Sequence, residues 1–291
     1  MHIKRTRRHR IRNIIRLNWT EFVRSPKLYL ILFSYICIVE RSLLPMLRLS
    51  DQIGEALNIV EPFIAFCNSK WEALLIPLTY LVIFCDYPRS NSHYTYTIVR
   101  AGRANWIWGN CLFAMLVSTV YMGSIFVMSL IVCQKQSFVF NGWSLYTRKM
   151  KYYYSTQLMA FGEDKVLDAG LYMHYRPYEA LGYTLLLNIL MGLTISSIFL
   201  LCNVLQKHNL GMICNVLLLV GGWITNQFLG NIMWIFPYAN CKLGWHHKYI
   251  LRETILTDGY SVAYFVILIL ILYGFLFWKI RRTPIYVSDN L

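Results

Sequence analysis

Four groups of residues have the types that do chemistry: the neighbouring His246 and His247, the Glu40-Arg41 pair, eight cysteines, and the basic stretch KRTRRHRIR. Two metal ligands on one helical face need a spacing of three or four, so the adjacent histidines point apart and read as an exposed interfacial pair. Glu40 and Arg41 also point in different directions and need separate partners or water. Either Glu40 snorkels near the outer interface, with Leu43 to Leu47 lying flat, or it lines a cavity. Cys37, Cys85, Cys111, Cys202 and Cys214 fall within or at the ends of apolar runs, where a thiol acts as a small apolar group. Cys67, Cys133 and Cys241 remain as candidates for one disulfide.

Other chemistry is missing. The sequence has no G-x-x-x-x-G-K-[ST] phosphate loop, no H-E-x-x-H and no G-x-S-x-G, so neither a nucleotide, a metal nor a nucleophile has its usual cradle. The reading is therefore not an enzyme, with no catalytic, cofactor-binding or metal-binding residue.

The elements that carry these residues follow from composition. The chain is 57% hydrophobic and only 14% charged, which departs from soluble domains in the direction a bilayer demands. Apolar windows of the length that crosses the hydrocarbon core as a helix occur at 28–47, 71–87, 106–133, 181–205, 212–235 and 261–280. A run such as SVAYFVILILILYGFLFW is apolar on every side, unlike the striped helix of a soluble core. The expected fold is thus all-α, a single six-span transmembrane domain over 1–291, with both termini on one side.

Sixteen of the 28 Lys and Arg residues, and only three of the 14 acids, fall on the N-terminal side of that topology. The basic side is cytoplasmic by the positive-inside rule. Residues 1–27 read as a basic amphipathic interfacial helix. Ile11, Ile14, Ile15, Trp19, Phe22 and Val23 share one face, with Arg10, Arg12, Arg16 and Arg24 largely opposite. Next to a membrane span, such a cluster serves topology and anionic lipid rather than nucleic acid.

The outer side has connections at 48–70, 134–180 and 236–260, too aromatic for plain disorder and expected to form a folded cap. Span interiors hold neutral polar groups, among them Asn188, Thr194, Ser196 and Ser197, then Asn215, Thr225, Asn226, Gln227 and Asn231. Gly192, Gly221 and Gly222 are expected to allow close helix approach. These polar groups read as packing devices; Glu40, Thr225, Asn226, Gln227 and Asn231 are also the candidates for lining a pathway. The last four spans carry no charged residue in their interiors, which argues against ion coupling.

Between the second and third windows runs FCDYPRSNSHYTYTIVRAGRANWIWGN, a cytoplasmic loop at 88–105. Pro88 blocks continuation of the second span, Ser90 or Ser92 could cap a new helix, and Gly102 could end it. Asp86-Tyr87-Pro88, followed by Arg100, Gly102, Arg103 and Trp106, resembles the coupling loop of membrane-spanning permease subunits of type-2 ABC exporters of the Gram-positive bacterial type. The segments RSPK, RPYEALGYTLLLNIL and FPYANCKLGW resemble other parts of that family at lower specificity.

The resemblance implies a multi-pass permease subunit in the bacterial plasma membrane. It would form a dimer with a second copy or a related permease and export an amphipathic cargo such as an antimicrobial peptide, lipid or drug. Two ABC ATPase subunits would carry the ATP and magnesium, with no cofactor on this chain. Asp86, Pro88, Arg89, Tyr94, Tyr96, Ile98, Arg100, Gly102 and Arg103 would couple the chain to that ATPase. The alternative reading is a non-transporting membrane sensor or scaffold with ligand-binding outer loops.

Overall fold

Long apolar runs satisfy their backbone by coiling, and they stop coiling where glycine, proline or a polar cluster intervenes. In the computed structural model, residues 7–88, 92–148, 167–228, 230–247 and 254–282 are described, and they are all-α. The helices are α1 (Arg7–Val23), α2 (Lys27–Ile38), α3 (Leu44–Ile53), α4 (Glu61–Asn68), α5 (Leu75–Phe84), α6 (Ser92–Ala101) and α7 (Arg103–Cys133). Then come α8 (Ala169–His174), α9 (Pro177–Val204), α10 (His208–Phe228), α11 (Pro237–Asn240) and α12 (Asp258–Arg282). Among the described residues the sheet content is one short parallel pair, β1 (Leu57–Asn58) beside β2 (Ser137–Phe138), with Leu57 opposite Ser137.

Among the described residues four helical stretches are long and apolar enough to cross a membrane: Lys27–Ile53, Arg103–Gln136, Pro177–Val204 and Asp258–Arg282. The windows at 71–87 and 212–235 fall on shorter apolar helices, Glu72–Phe84 and Asn209–Thr225. At 212–235 the apolar run outlasts the helix. Gly230 takes a φ of 51° and the chain continues as a 3-10 turn, Gly230–Ile235, before α11 packs back on α10.

The first long stretch is a correction to the flat segment expected at Leu43 to Leu47. A π-helical turn, Val39–Leu43, carries the helix past Glu40 and Arg41 and on through α3. The turn takes in one more residue than an α turn, and both charged side chains lie on the exposed side.

The core sits around α9, whose apolar window is 72% buried against 22% for that of α12. Close approach at Gly192 makes this possible: a Cβ there would lie 2.6 Å from Ser118 Oγ of α7 and 2.7 Å from Tyr80 Cζ of α5. Gly221 and Gly222 do the same for the return of the chain over α10, where added Cβ atoms would meet Phe236 at 2.5 Å and Tyr238 at 3.0 Å. Gly192→Ala should therefore overpack the junction of α5, α7 and α9 and cost about 1–3 kcal/mol. Thermal unfolding in detergent reads this, and an unchanged midpoint would contradict the spacing.

Helix α4 lies within the connection 48–70. Every residue from Glu61 to Cys67 is buried, packed against α7, α9 and the π-helical turn. At eight residues it is too short for any membrane-length window to detect.

Candidate functional site

The segment singled out for docking lies between α5 and α7, at the end of the molecule that carries α1 and the basic C-terminal turn of α12. Helix α6 is a discrete element. The Gly102 amide closes it by donating to Ile98 O at 2.9 Å, and the Gly102 carbonyl opens α7 by accepting from Trp106 N at 3.0 Å. At φ 86° and ψ 144° Gly102 occupies a region that side chains rarely adopt.

The docking residues divide between those placed and those not. Arg89 lies outside the described residues. Tyr94 and Tyr96 fall on α6, and their side chains lie outside the description. Ile98, read from the sequence as a docking anchor, is only 5% exposed; it holds α6 to the body, and a buried group offers nothing to a partner. Val99, 66% exposed, and Arg100, also exposed, carry the outward surface instead. Arg103 turns away from it, donating from Nη1 to the Arg281 carbonyl at 2.8 Å and so tying α7 to the end of α12.

Beside α6, the Asp86-Tyr87-Pro88 stretch is a junction of helices. Lys27 Nζ pairs with Asp86 Oδ2 at 3.1 Å and donates to Ile83 O at 3.2 Å. The Tyr87 hydroxyl donates to Asn110 O at 2.6 Å, and Asn203 Nδ2 donates to Tyr87 O. Asn110 Oδ1 in turn accepts from Asn18 Nδ2 at 2.9 Å. Five contacts thus join α1, α2, α7 and α9 to the end of α5. Sequence reasoning missed Asn18, Lys27, Asn110 and Asn203. Asparagines at the ends of apolar runs were the available signal, since each must find a partner there.

The pathway candidates do not form one polar surface. Glu40 is exposed on the π-helical turn, and the Thr225 hydroxyl is turned onto its own helix, donating to Gly221 O at 2.8 Å. Asn231 is exposed on the 3-10 turn beyond α10, and the side chains of Asn226 and Gln227 lie outside the description. Asn188, Thr194, Ser196 and Ser197 likewise donate to carbonyls of α9 itself.

The most densely bonded polar groups lie at the opposite end, where the sequence expected an exposed histidine pair. His246 is wholly buried, because the 3-10 turn Leu243–Trp245 folds it under the start of α12. Its Nδ1 meets Asp258 Oδ1 at 3.2 Å and its Nε2 meets Ser261 Oγ at 3.3 Å. Asn240 Nδ2 donates to the carbonyls of Trp234 and Phe236, which orients its Oδ1 to accept the Ser261 hydroxyl at 3.1 Å. Ser261 has one proton to give and directs it to Asn240, so the imidazole of His246 is held between the Ser261 hydroxyl and the Asp258 carboxylate.

Tyr175 also donates to Asp258 and accepts from His247 Nε2 at 2.7 Å. Burial first, and the stacked His174 ring 4.1 Å away second, hold His247 down at about 4. Ser, His and Asp stand in hydrogen-bonding order here. Both Ser261 and His246 are sealed from solvent, and the serine proton is already committed, so the arrangement joins segments rather than attacking a substrate.

Lys242 is buried as well, 2% exposed. Its ammonium donates to Cys67 O at 2.8 Å and Ser69 O at 3.3 Å, covering carbonyls at the C-terminus of α4, where a positive charge suits the helix dipole. Burial holds it down at about 8, opposed by the Cys67 and Cys241 thiols. Cys67, Cys133 and Cys241 are all buried and carry free thiols.

No protein-family model, no curated protein and no solved structure matches this chain.

Proposed function

We propose that this chain is the permease subunit of a type-2 ABC exporter, spanning the plasma membrane six times with both termini cytoplasmic. It would form a dimer and move an amphipathic cargo with energy from a separate ATPase. The observation that carries the reading is α6: a discrete helix at the basic end, locked to the body by Ile98 and presenting Val99 and Arg100 outward. A coupling element needs that combination of a rigid inner attachment and an outward apolar and arginine surface.

The Asp86-Tyr87 junction gives the element its mechanical connection. A displacement of α6 would reach α2, α7 and α9 through Lys27, Asn110 and Asn203. Two arrangements of this junction, biased by nucleotide on the partner, would alternate the pathway between inward and outward states. The shorter helices α5 and α10 would complete the six spans together with the 3-10 turns that extend them.

Arg100→Glu should leave membrane insertion intact and lower retention of the ATPase at least about thirtyfold, the loss of a strong interface anchor. Co-purification in mild detergent with the tagged chain measures this. Wild-type retention of the ATPase by the variant would overturn the coupling assignment.

A further inference from the structure

The sequence suggests that the apolar side of α1 lies in the acyl boundary. In the structure part of that side is covered: Ile14 is 3% exposed, seated where a Cβ on Gly109 of α7 would lie 2.8 Å from it, and Phe22 packs edge-on to Phe113. Beside this seam α1 and α7 leave an open groove of about 930 Å³. Arg7, Arg8, His9 and Arg12 line one side of it, and Ile11, Ile15 and Leu112 form its floor.

The geometry points to this groove as a binding site for one anionic phospholipid. Arg8, Ile11, Arg12 and Ile15 follow one another at i, i+3, i+4 and i+7, so guanidinium and aliphatic groups share one helical stripe. Among the described residues no carboxylate pairs with Arg7, Arg8 or Arg12, and a forked guanidinium matches a phosphodiester.

The floor decides between a lipid and a free phosphate. It continues along α7 through Trp108, Leu112 and Met115, which are 44%, 41% and 51% exposed on a helix long and apolar enough to cross a membrane. A headgroup held by the arginines therefore places its acyl chain against α7. The site depends on membrane embedding alone and is independent of the exporter reading.

The test uses the full chain in phosphatidylcholine nanodiscs doped with phosphatidylglycerol of the same acyl chains, with retained lipid counted by native mass spectrometry. The wild type should retain phosphatidylglycerol in preference to phosphatidylcholine. The double variant Arg8→Gln/Arg12→Gln should weaken that retention roughly 25-fold, the loss of two guanidinium–phosphodiester hydrogen bonds made within the groove. Arg10→Gln/Arg24→Gln removes two cations outside the groove and should change it less than about threefold. Leu112→Asn should weaken retention while the chain stays monodisperse.

Equal losses in the two arginine pairs would mean diffuse attraction and overturn the site. So would displacement of the lipid by inorganic phosphate at millimolar concentration, or retention unaffected by Leu112→Asn. ATPase co-purification is read separately, so a failure here is distinct from failure of the permease reading.

Discussion

Glu61→Ala is expected to destabilise the protein by about 3–5 kcal/mol, the cost of stranding two buried donors at once. Glu61 is fully buried at the start of α4. Its Oε2 accepts from Asn58 N at 2.8 Å and its Oε1 from Ser144 N at 2.9 Å. The carboxylate thereby joins α4 and the β1 segment to residues 83 positions later in the chain, and alanine offers neither amide a replacement.

Burial raises the Glu61 carboxyl above its ordinary 4.5, with the hydrogen bonds from Ser144 and Asn58 opposing. A carboxyl raised in the folded state contributes stability that is full below pH 4.5 and is lost as pH rises through the folded value. Glu61→Gln, a mimic of the protonated form, should remove that dependence. Unfolding curves of wild type and Glu61→Gln, differenced across the window opening at pH 4.5, read the sign. Equal stability of Glu61→Ala and wild type, or a difference curve that rises with pH, would remove the carboxylate from its place in the fold.

How much of this was legible depends on the length scale over which each feature is encoded. The windows at 106–133, 181–205 and 261–280 sit within two or three residues of α7, α9 and α12 at most ends, because a run that is apolar all round admits one solution. Gly192, Gly221 and Gly222 were readable as close-approach positions, since a residue without a side chain can serve contact with any neighbour.

Features that depend on a distant partner were not legible. A window counts apolar residues and is blind to helical continuity, so 71–87 and 212–235 look like full spans although α5 and the apolar part of α10 are shorter. The seven buried residues of α4 fall below the window altogether. Ile98 reads as an anchor from its type, and only the packing of α6 shows which way it faces. His246 and Lys242 have polar side chains that look like surface until Asp258, and the carbonyls of Cys67 and Ser69, come into reach.

Asp258→Ala should cost a similar 3–5 kcal/mol, by a different route. Asp258 is the shared acceptor for the Tyr175 hydroxyl and His246 Nδ1, and those donors come from the segment after α8 and from the turn before α12. Removing the shared acceptor leaves the buried His246 Nδ1 and the Tyr175 hydroxyl without their partner, which costs far more than an exposed pair is worth. Tyr175→Phe takes away one donor and leaves the carboxylate with His246, so it should cost only about 1 kcal/mol. Asp258→Asn keeps the volume and an acceptor while losing the charge, and should fall between the two. Thermal unfolding of the three variants in one detergent ranks them. Asp258→Ala no worse than Tyr175→Phe would mean that the carboxylate is not the hub. The expected order would instead place the stability of this end of the molecule in a carboxylate whose buried partner no window of the sequence could show.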